Sequence, residues 1–569
     1  MKKFISLVLS AVIAFSAFAV LSYGFKAPAD LKIAVASDLH YNIPREKIEG
    51  PENGVIDDPI FFYANRRAAM EDESGFIIDE FLKQCAESDC DCVLISGDMA
   101  DSGKTVTEEH KIVAEKLKAF EKETGKDVFV ISGNHDYGVN CDGDMEFFKS
   151  NYADLGYDKA LATVETDCSY TANLGEKYRL IALDSCDPTV STEDGMTAQR
   201  VKWVLEQAEL SKKEGRQPIL MMHHNLLDHM PLQRIINRNF IVKFHYSTAE
   251  LFADAGIKIV LTGHEHCSDA TSFTSGLGNT IYDFATTSLT MYPLQYRFFT
   301  FTDETITYEA KTVDALDFDL LTSTVQGYSA EQISLMKAGL NSYSKDFLKA
   351  GVQFRLELSL SMEKMGIAED AIYYDLVNNA VGKLLTILNS PLYGEGSVSE
   401  KALTYGIEIP ATDCETPWDL ATDFVAAHYA GEEDKDLNSP EVKTLLRTVA
   451  FILREELAVK DDNLLISAAE AVQEVLGVKG IGEVIKEDFG EKNDPITSTE
   501  YFLLSVCSPI IYQFACDTDG VNDNNGELPG YGAQEFKFIS NDFTGFFGEI
   551  LLKLQYFFHY ILRITEIIK

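Results

Sequence analysis

From Leu31 to about Asp314, short apolar runs rich in β-branched residues alternate with longer amphipathic stretches. LKIAVAS (31–37), CVLIS (92–96), VFVIS (128–132), YRLIALDS (178–185), PILMMHH (218–224) and IKIVLTGH (257–264) are short and nearly continuous, which predicts buried strands. Between them, apolar residues at helical spacing predict helices over Gly75–Gln84, Thr105–Thr124, Ala198–Lys213 and Thr248–Ala255. Such alternation implies a layered α/β domain with much parallel sheet. From Asn279 to Lys311 the pattern turns mostly to β type, as a segment closing that sheet would. Beyond residue 316 the character changes. Segments 329–348, 366–389, 439–458 and 497–515 have helical periodicity, which predicts a separate, mainly α-helical C-terminal domain over 316–569.

The first residues stand apart from both regions. Lys2 and Lys3 precede an uncharged apolar run, Phe4 to Leu21, and Ala17–Ala19 offers a small-x-small cleavage site. Residues 1–24 thus have the form of a bacterial export signal, or of an N-terminal membrane anchor if left uncleaved. Export would place the protein outside the cytoplasm, secreted or associated with the cell envelope. Ten Cys in 569 residues are too few for a disulfide-dense scaffold, and no CxxC pair offers a thiolate metal site.

The formal net charge of −41 weighs against a nucleic-acid polymer as partner, because phosphate neutralisation needs clustered Lys and Arg. It also poses a problem for any anionic substrate, which would need local positive charge. Two later stretches invite closer reading. DTDGVNDNNGE (517–527) carries closely spaced oxygen ligands, yet its glycines do not fall where an EF-hand loop needs them, so an Asx-rich turn is the better reading. The run FFGEILLKLQYFFHYILRITEIIK (546–569) has a polar strip and a broad apolar face, as a packed helix has; a membrane-surface helix is the alternative.

The predicted strands share an unusual ending. The first runs into Asp38 and His40 (SDLH), the second into Asp98 (SGDM) and the third into Asn134 and His135 (GNHD). A later strand ends in His223 and His224 (MMHHN), and the last parallel strand in His264 and His266 (GHEH). In open α/β sheets the ligand crevice lies beyond the carboxyl ends of the strands, so these side chains are expected to converge. Each piece alone is weak: a strand-end Asp is usually a cap or turn residue, and a single His is usually structural. Five pieces in one order, each after an apolar strand, carry the reading. Carboxylate, imidazole and amide oxygen suit Zn, Fe or Mn ions. Two ions roughly 3.5–4 Å apart require a bridging ligand, a part open to a lone strand-end Asp such as Asp98.

In these motifs the chain resembles the calcineurin-like metallophosphoesterase superfamily, with its D-x-H, G-D, G-N-H-D/E, H and G-H-x-H pattern, over about residues 30–314. The resemblance implies a four-layer αββα sandwich with two divalent or trivalent metal ions at the strand ends. By motif position it implies Asp38, His40, Asp98 and His266 for one ion, and Asp98, Asn134, His223 and His264 for the other. MMHHNLLDH (221–229) and IYDFATTSLTMYPLQY (281–296) are similar to exported bacterial proteins related to class III cyclic-nucleotide phosphodiesterases. Some of those carry an added helical domain, whereas many relatives have Pro where this chain has Asn225.

The expected activity is hydrolysis of a small phosphodiester, with cyclic nucleotides as the substrate class. Two divalent ions would bring four positive charges against the two of Asp38 and Asp98, resolving the charge problem locally. A bridging hydroxide would attack phosphorus in line. His135 is expected to protonate the leaving alkoxide, with Asp101 as its orienting carboxylate and Asp136 as the second candidate for that part. Asn134, His135 and His224 are expected to touch substrate, with His229 nearby. A phosphomonoesterase or broad phosphatase is the nearest alternative. From another class comes a surface binding protein with a vestigial phosphoesterase domain, against which the full ligand set argues.

Overall fold

The computed structural model describes residues 30–44, 68–101, 105–139, 141–190, 194–230, 233, 238–325, 327–371, 374–457, 504, 511–512, 514–517 and 519–532. The expected signal over 1–24, the terminal run 546–569 and most of the expected helix 497–515 lie outside those residues. Among the described residues, no helix is long and apolar enough to cross a membrane.

The strands are β1 (Leu31–Ala36), β2 (Cys92–Ile95), β3 (Asp127–Val130), β4 (Ala162–Thr163), β5 (Tyr170–Leu174), β6 (Tyr178–Leu183) and β7 (Gln217–Met222), followed by β8 (Ile259–Thr262), β9 (Asp269–Thr274), β10 (Thr280–Ala285), β11 (Gln295–Phe301), β12 (Thr305–Thr312) and β13 (Asn525–Pro529). One sheet has the order β13-β12-β11-β1-β2-β3 and the other β4-β5-β6-β7-β8-β10-β9. β1, β2 and β3 run parallel in the first, and β6, β7, β8 and β10 in the second.

Period-two burial explains the layering. In the second sheet Leu180, Ala182, Ile219, Met221, Ile259 and Leu261 join Ile33, Val35, Leu94 and Val128 of the first in one core. The intervening Ile181, Leu183, Leu220, Met222 and Val260 pack instead on Val201, Val204 and Phe252 of the helices Ala198–Lys213 and His245–Asp254. Helix Ala198–Lys213 starts where Thr197 Oγ1 accepts from Arg200 N, a conventional N-cap. Helices Ser74–Glu87 and Val106–Thr124 cover the first sheet through Ile77, Phe81, Val113 and Leu117. The result is a four-layer αββα sandwich followed by a mainly helical C-terminal region.

That region is less detached than a boundary at 316 predicts. Leu321, Val325, Met336, Leu340 and Phe347 belong to the sandwich core. The stretch NGELP comes back as β13, pairing with β12 from Thr305↔Pro529 to Glu309↔Asn525. Its pairing is dictated by the otherwise open edge of β12, not by its own composition. Expected helix 329–348 is two helices, Ala330–Ala338 and Leu340–Ser359, parted at Gly339 by extended backbone. The helices Val398–Leu403, Pro417–Ala430 and Pro440–Leu457 form a second core around Leu392, Val398, Leu420, Phe424 and Leu446.

Candidate metal centre

The turns after β1, β2, β3, β7 and β8 bring the seven expected ligand residues together. Two groups emerge whose ligand atoms lie within 4.8 Å of one another: Asp38, His40 and His266, and Asp98, His223 and His264. In the first, His266 Nε2 lies 3.1 Å from Asp38 Oδ1 and 3.1 Å from His40 Nε2. In the second, His223 Nε2 lies 3.2 Å from Asp98 Oδ2 and 3.0 Å from Asn134 Oδ1. Asp98 Oδ2 is also 3.6 Å from His40 Nε2, so this carboxylate stands between the two groups.

The backbone is bent sharply to achieve this. Asp38, His40, Asp98, His264 and His266 all have left-handed φ, at 50°, 39°, 53°, 67° and 62°. Hydrogen bonds between turns fix them: Asp38 N donates to Gly97 O and His40 N to Asp98 O, both at 3.0 Å. His264 N donates to Asp38 Oδ2 at 3.0 Å, while Asp98 Oδ1 accepts from His135 N at 2.8 Å. A Cβ on Gly133 would lie 2.1 Å from Asp98 Oδ1, and one on Gly263 would lie 2.3 Å from Asp38 Oδ2, so only glycine fits at either position.

Several donor atoms are buried without hydrogen bonds: Asp38 Oδ1, Asp98 Oδ2 and His264 Nε2. His223 Nδ1 donates to Ser96 O at 2.9 Å, which turns Nε2 toward Asn134 and Asp98. Orphaned buried acceptors around imidazole nitrogens fit a pair of cations with mixed nitrogen and oxygen ligands. The electrostatics agree. Burial opposes ionisation of Asp38 and Asp98, yet the neighbouring imidazoles, His266 and His223 on Asp38 and His223 and His135 on Asp98, hold both carboxyls below the usual range. Burial opposes charge on His223 too, but Asp98 and Asp38 raise it to about 9. For His264 burial prevails and keeps the ring neutral.

His135 and Asp101 sit beside this cluster. Asp101 Oδ1 lies 3.2 Å from His135 Nδ1 and 3.7 Å from His40 Nδ1, so one carboxylate stands beside both rings. His135 and His266 are 29% and 23% exposed in their side chains, against 0% for Asp38 and His223, so the cluster opens to solvent on their side. Asp136 does not orient His135. It accepts from Asp98 N, Met99 N, Ala100 N and Gly133 N, holding two of the turns together.

His224 differs from expectation. It is fully buried, with Nδ1 2.9 Å from Ser185 Oγ and its ring 4.4 Å from that of His264. Lodged behind the ligands, it braces His264 and does not face substrate. His229 is buried as well, between Asp269 at 2.5 Å and Asp283 at 3.2 Å. Asp283 in turn accepts from Leu226 N, Leu227 N and Thr262 Oγ1, and Asn225 Nδ2 donates to Thr262 Oγ1 and Gly263 O. This network joins the turns that carry His223 and His264. Sequence reasoning named Asn225 and His229 but missed the network, because its members are separated by tens of residues and only the fold pairs them. Phe240, stacked 4.3 Å from the His264 ring, was missed for the same reason.

Residues 31–268 match the family described as calcineurin-like phosphoesterase. Over those residues the sandwich is similar to that family. Among solved structures, the crystal structure of a dimetal phosphatase from Danio rerio is 12% identical with a TM-score of 0.34, covering 50% of this chain and 96% of that chain. The structure of PhoD is 10% identical with a TM-score of 0.31, covering 51% of this chain and 70% of that chain. No curated protein matches the sequence.

Proposed function

We propose that this chain is a metal-dependent phosphoester hydrolase acting on small phosphodiesters of the cyclic-nucleotide class outside the cytoplasm. The observation that carries the hydrolase reading is the meeting of two ligand groups at Asp98, with His135 on the open side. Asp38, His40, Asp98 and His266 would hold one cation; Asp98, Asn134, His223 and His264 would hold the other. Such cations, when bound, polarise phosphoryl oxygens and supply a nucleophile at neutral pH. The chain's own residues do the positioning. Asp101 takes His135 Nδ1, which leaves Nε2 to carry the proton given to the leaving oxygen. The same carboxylate orients His40, so that its Nε2 faces Asp38 and Asp98.

The diester preference is supported by the likeness of residues 221–229 and 281–296 to cyclic-nucleotide phosphodiesterase relatives. Export is supported by the basic, apolar and small-residue succession over residues 1–24. The test is a panel of 2′,3′- and 3′,5′-cyclic nucleotides, with bis-p-nitrophenyl and p-nitrophenyl phosphate, against protein reconstituted with Mn, Zn or Fe. Diesters should turn over faster than the monoester. A monoester preference replaces the diester reading with a phosphatase. Absence of turnover on every substrate, with metals demonstrably bound, leaves a binding protein. N-terminal sequencing of protein from medium and membrane fractions tests export separately.

A further inference from the structure

The imidazoles of the metal centre differ in what stands behind them. His223 Nδ1 is backed by Ser96 O, and Asp101 Oδ1 stands beside His40 Nδ1. Behind His266 stands sulfur: its Nδ1 lies 3.1 Å from Met291 Sδ. A thioether has no proton to give, so the hydrogen of this contact belongs to Nδ1. Nε2 is left as the ligand atom, and it lies 3.1 Å from Asp38 Oδ1 and 3.1 Å from His40 Nε2.

Met291 is held from two sides. It closes the segment after β10, which is bonded to the turns of the site. Leu289 N donates to Ser37 O at 3.1 Å, Ser288 Oγ to Asp38 O at 2.8 Å, and Thr287 Oγ1 to His266 O at 2.6 Å. The main chain of Met291 is itself satisfied, since its N–H donates to Ser288 O at 3.2 Å and its carbonyl accepts from Leu294 N at 2.6 Å. On the other side the C-terminal region closes over it. Met291 is buried in one apolar cluster with Leu348 and Val352 of helix Leu340–Ser359 and with Ala426 and Ala430 of helix Pro417–Ala430. The two alanines lie four residues apart, on one face of their helix. A free methionine side chain is adaptable and specifies little. Anchored in this way, its sulfur has a fixed direction.

We propose that Met291 is a positioning residue of the metal centre: its thioether keeps the His266 proton on Nδ1 and aims Nε2 at the cation shared with Asp38 and His40, while the C-terminal helices hold Met291 to that task. Partners behind a metal-ligating imidazole fix its tautomer and ring orientation, and their loss weakens the metal. The C-terminal region thereby takes part in cation binding without supplying a ligand. The inference rests on the two-cation reading of the site and is independent of the substrate.

The test is equilibrium dialysis of the metal-free full chain, wild type and Met291→Leu, against Mn²⁺. Leu keeps the bulk and apolar contacts of Met but offers no acceptor to Nδ1. The wild type should take up two ions per chain. In the variant one ion should be weakened about 10–100-fold while the other stays within about threefold of wild type. The melting temperature of the metal-free variant should fall by no more than about 4 °C. The visible absorption of the Co²⁺-loaded variant should also differ from wild type, because a ring free to turn changes the geometry at one ion. Two ions held by the variant at wild-type affinity overturn the proposal. Equal weakening of both ions overturns it too, since it leaves Met291 a packing role alone. A wild-type chain that takes up fewer than two ions sinks the two-cation reading itself, and this proposal with it.

Discussion

His110 offers a sharp test of how the turn Gly133–Asp136 is supported from beneath. The ring is buried on helix Val106–Thr124, with Nε2 donating to Asp136 O at 2.9 Å and Nδ1 accepting from Tyr152 Oη at 2.7 Å. Phe148 closes on it edge-on at 5.6 Å. A neutral imidazole satisfies both contacts. Burial therefore lowers its pKa to about 4, against the opposing pull of the Asp136 carbonyl and of Asp98. An unfolded His titrates near 6.5, so between pH 6.5 and 4 the unfolded chain takes up a proton that the folded chain refuses. The contribution to stability is complete above pH 6.5 and is lost as pH falls toward 4. At about 1.4 kcal/mol per pH unit, the loss comes to about 3 kcal/mol. Carboxylates titrate in the same window, so the quantity to read is the difference between wild type and His110→Gln, in metal-free protein. Gln retains a donor for Asp136 O and does not titrate. The chain has two Trp, and Trp203 lies on helix Ala198–Lys213 of the sandwich; in a Trp418→Phe background its fluorescence follows sandwich unfolding in urea. Wild type should lose about 3 kcal/mol more than the variant between pH 7 and 4. Parallel profiles refute the buried neutral imidazole.

Three further outcomes bear on the metal centre. Asp98→Asn should release both cations together, seen as metal content falling far below two per chain on elemental analysis; retention of one tightly held ion contradicts the shared role. His135→Ala should keep its metals and lower kcat by roughly 10²–10⁴-fold, and metal loss in that variant removes His135 from the acid role. Asp136→Asn should destabilise the sandwich by about 2–5 kcal/mol in urea, because two of the four N–H groups now bonded to its carboxylate lose their acceptor; a change under about 1 kcal/mol shows that the turns hold without it.

Much of this was legible in the chain because buried parallel strands are short apolar runs whose ends are abrupt. Six of them ended within two residues of their predicted limits, and helix Ala198–Lys213 has its predicted bounds. The ligand residues could be read because each sits one to four residues past such an end. β13 could not, since Leu528 alone among its five residues is buried and its partner lies over two hundred residues away. The bracing role of His224 was hidden for a different reason. His223 and His224 alternate across the end of one strand, and only the neighbouring Ser185 and His264 decide which ring faces the ligand cluster and which lies behind it.

The backbone of the site carries information that residue types do not. Among the described residues, eight other than glycine have left-handed φ, and five are Asp38, His40, Asp98, His264 and His266. Such a conformation costs about 1–3 kcal/mol per residue and persists only where surroundings over-determine it. D-x-H and G-H-x-H spend it twice each, because two residues one apart normally point to the same side of an extended strand, whereas here the chain must coil tightly to aim both at one point. The bonds that enforce this run from turn to turn: β1 to β2 through Gly97 O and Asp98 O, and β8 to β1 through Asp38 Oδ2. Strain distributed over three turns and held by reciprocal bonds is a cooperative device, since loosening any one turn frees the others. Cation affinity and the stability of the sandwich's strand ends are therefore coupled by the same hydrogen bonds, and a substitution that relaxes one turn without touching a ligand weakens both.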